Sequence, residues 1–351
     1  TAITQEELQT AVHAALVQWG KPAEIQTAPL SGLLLVQNQL AAHQGGLPFG
    51  RRYAIDRVLL DSIDLLAEQD EAGAVVLRSR FLDGKITRQV AQEMYASIDQ
   101  VNRWQRAAID ALTQLLYHQE TKLRAELIQA LETGLPPASY SQFFGFPEIR
   151  EIVAAQLVQE TAPWIIALTG IGGIGKTSLA DLVVREVLPS LAFKHIYWLR
   201  VEQQQFSGAA LPPERAYQGL LSALADALWP GMAHGQPDAH LETRLSQKLK
   251  AAPHLIIIDN LETVAHVDYF AGKLLAFVEP TRFLLTSRAR PSGGTAVYTH
   301  TLHELPFSDA AALLRHHAQL TGLPELAAAD RDTLQAIYQV TGGNPLALKL
   351  V

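Results

Sequence analysis

A chain of 351 residues with 48% hydrophobic and 18% charged side chains is long enough for two to three domains, each able to bury its own core. No apolar run approaches the roughly eighteen residues that span a bilayer, and no basic start followed by an apolar stretch marks export, so a cytoplasmic location without membrane contact is expected. The lack of cysteine excludes disulfides, thiolate zinc sites and a cysteine nucleophile, and the net charge of −7 gives no overall attraction to nucleic acid.

Residues 1–133 predict an all-helical N-terminal domain, because apolar residues recur at i, i+3, i+4 over 8–17, 33–40 and 58–66, with a glycine-rich loop at 45–50 between them. Within it, 87–95 predicts a short helix with Val90, Ala91 and Met94 inward. Ala96 and Ser97 break the chain, and 98–116 predicts a longer helix with Val101, Ala108, Ala111, Leu112 and Leu115 inward, a helix-turn-helix pattern. Gly134, Pro136 and Pro137 cannot continue a helix, so 134–142 reads as a linker.

Residues 143–303 alternate strands with helices, the pattern of an α/β domain whose parallel sheet is flanked by helices. Loops around one helix are expected over 208–236, which holds Pro212, Pro213 and Gly231. Beyond Pro306 the chain turns wholly helical. Ser308 is the expected N-cap and Ala311, Leu313, Leu314 and Ala318 the apolar stripe, so 304–351 reads as the start of a helical subdomain. The twelve histidines lack metal-ligand spacing. His316 and His317 are adjacent, and His234, His240, His254 and His266 have no i,i+4 partner, so they read as surface or capping residues.

The densest chemical signal is Gly-Ile-Gly-Gly-Ile-Gly-Lys-Thr at 170–177, which matches G-x-x-x-x-G-K-[ST] in full. It lies between the apolar run 164–168, which reads as a strand buried on both faces, and a helical pattern over 178–187. Gly170, Gly172, Gly173 and Gly175 leave the backbone free to turn. The N–H groups of this loop, through Ile174 and on to Ser178, can then converge on phosphate oxygens at a helix N-terminus. Lys176 supplies a point charge to the β and γ phosphates, and Thr177 offers a hydroxyl to Mg²⁺. These residues predict a site for a nucleoside triphosphate or diphosphate.

The run 254–260 is an apolar strand ending in Asp259 and Asn260, the arrangement in which a strand-end carboxylate holds Mg²⁺. A core strand followed by an Asp-Asn turn is the alternative. Parallel sheets gather ligands at the carboxyl ends of their strands, which predicts that Asp259 and the glycine loop meet. A third strand, 282–288, ends in Arg288, placed either to reach a terminal phosphate or to sit with Arg290 in a solvated loop.

The helix pair at 87–116 resembles the C-terminal DNA-binding region of bacterial sigma factors, in Thr87, the Val90-Ala91 pair, Ser97 as cap and Val101 four residues on. The resemblance implies major-groove contacts from Asp99, Gln100, Asn102, Arg103 and Arg106. Against it, residues 78–106 hold six basic and three acidic side chains, a small surplus for a DNA reader. A protein-contact module is the other reading of this pattern.

Taken in order, the glycine loop, the Asp259 strand, the Thr286-Ser287-Arg288 strand end and Gly342-Gly343-Asn344-Pro345-Leu346-Ala347-Leu348 resemble the NB-ARC branch of the STAND class, signal-transduction ATPases related to AAA+ proteins. The resemblance covers about 140–351. It implies that Pro345 lies against an adenine ring and that Arg288 senses the γ-phosphate. It also implies that ADP holds a closed monomer while ATP opens it and permits homo-oligomer assembly. An output through the N-terminal domain follows, with a DNA-binding regulator or a hexameric ATPase motor as the competing expectations.

Two departures bear on activity. Phe144-Gly145-Phe146-Pro147-Glu148 stands where relatives carry Gly-Arg-Glu, and Asn260 stands where a second acid serves as base. An amide accepts no proton at neutral pH, which implies at most slow ATP hydrolysis unless Glu262 substitutes. Relatives continue past this point into sensor domains. The apolar residues Leu346, Leu348, Leu350 and Val351 are expected to begin such a continuation, having nothing to pack on.

Overall fold

The computed structural model describes residues 3–19, 28–42, 50–201, 212–231, 239–261, 264–291 and 297–351. The chain forms two compact units, 1–127 and 128–351. The boundary between them falls inside one long helix rather than in the proline-rich stretch at 134–142.

The first unit is helical: α1 (Gln5–Val17), α2 (Ala28–Ser31), α3 (Leu34–Ala42), α4 (Gly50–Ala67), α5 (Glu71–Leu77), a π-helical turn (Arg78–Leu82), α6 (Thr87–Glu93) and the start of α7 (Ile98–Glu132). A capping box opens α1, with Glu7 N–H donating to Thr4 Oγ1 at 3.3 Å and Thr4 N–H donating to Glu7 Oε2 at 2.9 Å. The buried stripe Leu8, Val12, Ala15 and Leu16 then meets Ile55, Leu59 and Ile63 of α4 and Ala108, Leu112 and Leu116 of α7. Glu120 is 4% exposed, and its carboxylate accepts from the N–H groups of Leu34 at 3.1 Å and Leu35 at 3.2 Å, which satisfies the free amides at the start of α3.

The short helix followed by a longer one appears as α6 and α7, and Ser97 caps the second through Gln100 N–H at 3.1 Å. Val90, Ala91 and Val101 are buried together with Val76, with Met94 and Trp104 packed against them. Two boundaries and one buried position differ from expectation. The first helix stops at Glu93, and the second continues to Glu132 because no breaker occurs before Gly134. Leu116 is buried in place of Leu115, which is half-buried. The loop expected at 45–50 lies outside the described residues except for Gly50, which opens α4.

The second unit contains α8 (Pro147–Val158), β1 (Ile165–Thr169), α9 (Lys176–Val187), a 3₁₀ turn (Leu188–Ser190), β2 (His195–Arg200), α10 (Pro213–Leu228) and α11 (Ala239–Lys250). These are followed by β3 (His254–Leu261), α12 (Val264–Leu274), β4 (Arg282–Ser287), β5 (Val297–Thr301), α13 (Phe307–Thr321), α14 (Pro324–Ala327), α15 (Arg331–Thr341) and α16 (Pro345–Lys349). The five strands pair in parallel in the order β2-β3-β4-β1-β5. Alternate side chains of the apolar runs enter two different cores. Ile165, Ala167, Ile256, Ile258, Phe283 and Leu285 meet residues of α10, α11 and α12, such as Leu221, Leu245 and Phe270. Ile166, Leu168, Leu255, Ile257 and Leu284 meet Val153, Leu157, Leu179 and Val183 of α8 and α9. Arg282 ties the loop before β1 to the start of β4, donating to Pro163 O at 2.6 Å and Thr161 O at 3.0 Å, with its guanidinium 4.5 Å from the Trp164 ring centre.

Three expectations change here. The helix after Pro306 begins at Phe307, with Pro306 at the N-cap and no side-chain cap from Ser308. His254 and His266 are 1% and 2% exposed, so they are core residues rather than surface or capping ones; His234 lies outside the described residues. Leu348 does find a core, 1% exposed beside Leu305, Leu314 and Leu334, whereas Leu350 and Val351 are exposed.

Burial holds the imidazoles of His195, His254 and His300 below their ordinary pKa. A buried neutral imidazole takes a proton less readily than an unfolded one. The unfolded chain therefore binds more protons once pH falls below the ordinary histidine value of about 6.5, and stability is lost in that direction. The Tm of the second unit is expected to fall as pH drops from 7 to 5 in thermal melts; a flat profile across that window would contradict this assignment.

Candidate functional site

The site is built where β1 ends. Thr169 lies in register with Ser287 of β4 and Thr301 of β5, and Leu302 N–H donates to Thr169 O at 2.7 Å just past β5. The chain then turns through the glycine loop into α9, whose N-cap Gly175 has φ +103°, a conformation closed to most side chains. Gly173 has φ +75°, and a Cβ built on it would lie 2.6 Å from Leu346 Cβ, so this position requires glycine on both grounds. Lys176 Nζ donates to the loop's own carbonyls, Gly170 O at 2.8 Å and Ile171 O at 2.9 Å.

β1 and β3 are not neighbours; β4 runs between them. Their carboxyl ends still converge through side chains. Asp259 is 2% exposed, and its Oδ1 accepts from Thr177 Oγ1 at 2.8 Å and from Thr286 Oγ1 at 2.6 Å. Arg200 at the end of β2 reaches Asp259 Oδ2 at 3.4 Å. The next residue, Asn260, has φ +77° and donates its N–H to Thr286 Oγ1 at 3.0 Å, within an irregularity of the β3–β4 register between Ile258 and Leu261. This bulge sets Asn260 outward, exposed, while Asp259 stays beneath Thr177.

A cavity of about 300 Å³ opens above this cluster. Gly172, Gly173, Gly175, Lys176, Thr177 and Ser178 form one wall, Asn260, Thr286 and Arg288 the floor, and Pro345, Leu346 and Lys349 of α16 the far side. The Arg288 guanidinium lies alongside the loop, its Cζ 3.6 Å from the position of a Cβ on Gly172. Gly170 and Ile174 stand behind the wall. A Cβ on Gly170 would meet Leu302 O at 2.7 Å, and Ile174 is fully buried under α9. An adjoining apolar cleft shares Gly175, Ser178, Pro345 and Lys349 with the cavity and is lined by Tyr140, Phe143, Phe144, Phe146, Leu305 and Leu313. The Tyr140 hydroxyl donates to Asp181 Oδ2 at 2.9 Å, and burial together with that carboxylate pushes its pKa up.

The structure thus brings together the glycine loop, Lys176, Thr177, Asp259, Asn260, Arg288 and Pro345. Glu262 lies outside the described residues. Gln100, Asn102, Arg103 and Arg106 belong to the first unit, at the start of α7, where Arg103 and Arg106 are exposed and Gln100 and Asn102 half-buried. Sequence reasoning missed Arg200, which ends an edge strand whose apolar run, 196–199, is short and only partly buried. It also missed Lys349, whose signal was available: it lies four residues after Pro345 and so shares its face of a short helix. The aromatic run 143–146, noted only as a departure from relatives, lines the cleft.

The donor set fits a polyphosphate and a hydrated divalent cation. Backbone amides of a helix N-terminus, an ammonium and a guanidinium face one cavity, with a threonine hydroxyl and a carboxylate at its base. Among the described residues no group of three or more histidine or carboxylate side chains is placed to hold a metal by protein ligands alone.

The model of the NB-ARC domain family matches residues 148–312. An uncharacterized WD repeat-containing protein of Nostoc sp. is 29% identical over 230 residues, covering 60% of this chain and 18% of that protein. Disease resistance protein RPP8 of Arabidopsis thaliana is 25% identical over 153 residues, 44% of this chain and 16% of its own length. A solved STAND protein with a tetratricopeptide repeat sensor from Pyrococcus horikoshii aligns over 60% of this chain and 30% of its own, with 21% identity and a TM-score of 0.39. The chain spans less than a fifth of the curated relatives it matches. The glycine loop and the strand-end aspartate converge inside the segment, residues 148–312, that matches the NB-ARC domain family.

Proposed function

We propose that residues 128–351 bind ADP or ATP with Mg²⁺ and work as a switch between a resting ADP-bound monomer and an ATP-bound form that assembles with further copies. The observation that carries this reading is the hydrogen-bonded cluster of Thr177, Asp259 and Thr286 at the base of the glycine loop. A buried carboxylate bonded to the first-turn threonine of a phosphate-loop helix supports a role as magnesium holder, directly or through water.

The residues divide the work by chemistry. Loop amides from Gly172 to Thr177 orient the β phosphate. The Lys176 ammonium exchanges its two carbonyl acceptors for phosphate oxygens, and Thr177 with Asp259 would hold Mg²⁺, which supplies charge neutralisation to the phosphates when bound. Arg288, beside Gly172, reports a third phosphate. Pro345 and the aromatic cleft offer the base an apolar face, and Lys349 stands between cleft and cavity. Among the described residues lining the cavity no carboxylate or imidazole is placed as a base, and Asn260 cannot take a proton, which supports retention of nucleotide and slow hydrolysis unless Glu262 serves as the base. The switch couples a sensor to the helical first unit as output.

Mass spectrometry of nucleotide released from the purified chain is expected to find adenine nucleotide, and Lys176→Ala is expected to weaken ADP binding about a hundredfold, since charge-assisted bonds to phosphate are lost. Retention of nucleotide by that variant would remove the site assignment. Chelation of Mg²⁺ is expected to weaken ATP binding in the wild type and to have little further effect in Asp259→Asn. An equal chelator effect in both would remove Asp259 from the metal site. Sedimentation in ADP is expected to give a monomer, and in a non-hydrolysable ATP analogue a larger species; the same mass in both nucleotides would refute the switch.

A further inference from the structure

The carbonyls of the glycine loop are gripped from outside it. Asn344 Nδ2 donates to Gly172 O at 3.0 Å, and Leu346 N–H donates to Gly173 O at 3.2 Å. The same asparagine starts α16, its Oδ1 accepting from the N–H groups of Leu346 at 3.0 Å and Ala347 at 3.2 Å. One side-chain amide therefore uses its acceptor to cap a helix and its donor to hold the phosphate loop. The Leu346 side chain closes over the same turn, at 2.6 Å from the position a Cβ on Gly173 would take.

A trans peptide directs its C=O and N–H to opposite sides. Holding Gly172 O and Gly173 O against residues 344–346 fixes the peptide planes that also carry the following N–H groups, those of Gly173 and Ile174. It also keeps occupied two oxygens that would repel an anion. An unheld glycine turn has many other conformations, and an anion would have to organise it on arrival.

We propose that Asn344 is a positioning residue of the phosphate site: it touches no phosphate, yet its amide sets the loop conformation that binds one, and it ties the seating of α16 to nucleotide occupancy. The inference rests on the reading of the loop as a nucleotide site. Coupling free energies are reciprocal, so an anion that uses the oriented amides tightens the α16 contact, and a weakened contact lowers affinity for the anion. In this way occupancy of the loop is passed to the C-terminal helices through two hydrogen bonds and one leucine.

The test is an ADP titration of the whole chain as wild type, Asn344→Ser and Lys176→Ala. Serine retains a capping oxygen but carries no amide donor and is too short to reach Gly172 O. Asn344→Ser is expected to keep the nucleotide-free Tm within about 2 °C and to weaken ADP binding about five- to tenfold, the loss of one such bond. ADP is also expected to slow hydrogen exchange at the Leu346 and Leu348 amides in the wild type but not in the serine variant. Unchanged ADP affinity in Asn344→Ser, with Lys176→Ala defective, overturns the role of Asn344 alone. If Asn344→Ser does not fold, absence of ADP-dependent protection at Leu346 in the wild type overturns it. A wild type that binds no ADP removes the nucleotide reading and this inference with it.

Discussion

The buried carboxylate of Asp259 is the constraint on which the second unit's site depends. A carboxylate taken out of water without partners costs several kcal/mol, so its environment must supply donors. They come from the first turn of α9, the end of β4 and the end of β2. Meeting that demand forces three separate elements to converge on one point at the carboxyl edge of the sheet. The bulge at Asn260 belongs to the same arrangement, since the extra residue lets the strand end while Asp259 remains pointed under the loop.

A sheet apolar on both faces provides the rigid platform. Each central strand sends alternate residues into two separate cores, so a shift of one residue in register would exchange both sets at once. The residues that build the site sit at the strand ends of this fixed frame, and only short turns separate them from it. Rigid supports of this kind hold polar groups in place before any partner arrives, which lowers the cost of organising them at binding.

The C-terminal helices are joined to the same frame by backbone contacts. Leu302 N–H bonds to Thr169 O, Leu305 N–H bonds to Gly343 O at 3.0 Å, and the Tyr338 hydroxyl donates to Leu305 O at 3.0 Å. The chain leaving β5 is thereby stitched to the turn that precedes α16, and α16 in turn grips the glycine loop. Strand end, phosphate loop and helical segment form a closed circuit of hydrogen bonds within one unit. A change at the loop has a short, continuous route to α13 and α15.

Much of this was legible in the residues themselves. The phosphate loop is a local backbone device, so its glycines, lysine and threonine declare it; strands buried on both faces are unbroken apolar runs, so β1, β3 and β4 stood out. Edge strands β2 and β5 are only partly buried and mix Tyr, His and Thr with apolar residues, which hid them. The length of α7 beyond Leu116 was hidden because the predicted end rested on a pattern of inward residues, and only Gly134 supplies a chemical stop. What tertiary structure alone decided is which distant groups meet: β4 inserted between β1 and β3, Arg200 beside Asp259, and Asn344 on Gly172. The physical reason is that a side chain's type fixes which hydrogen bonds it can make, whereas its partner is fixed by the packing of the sheet and helices that carry it.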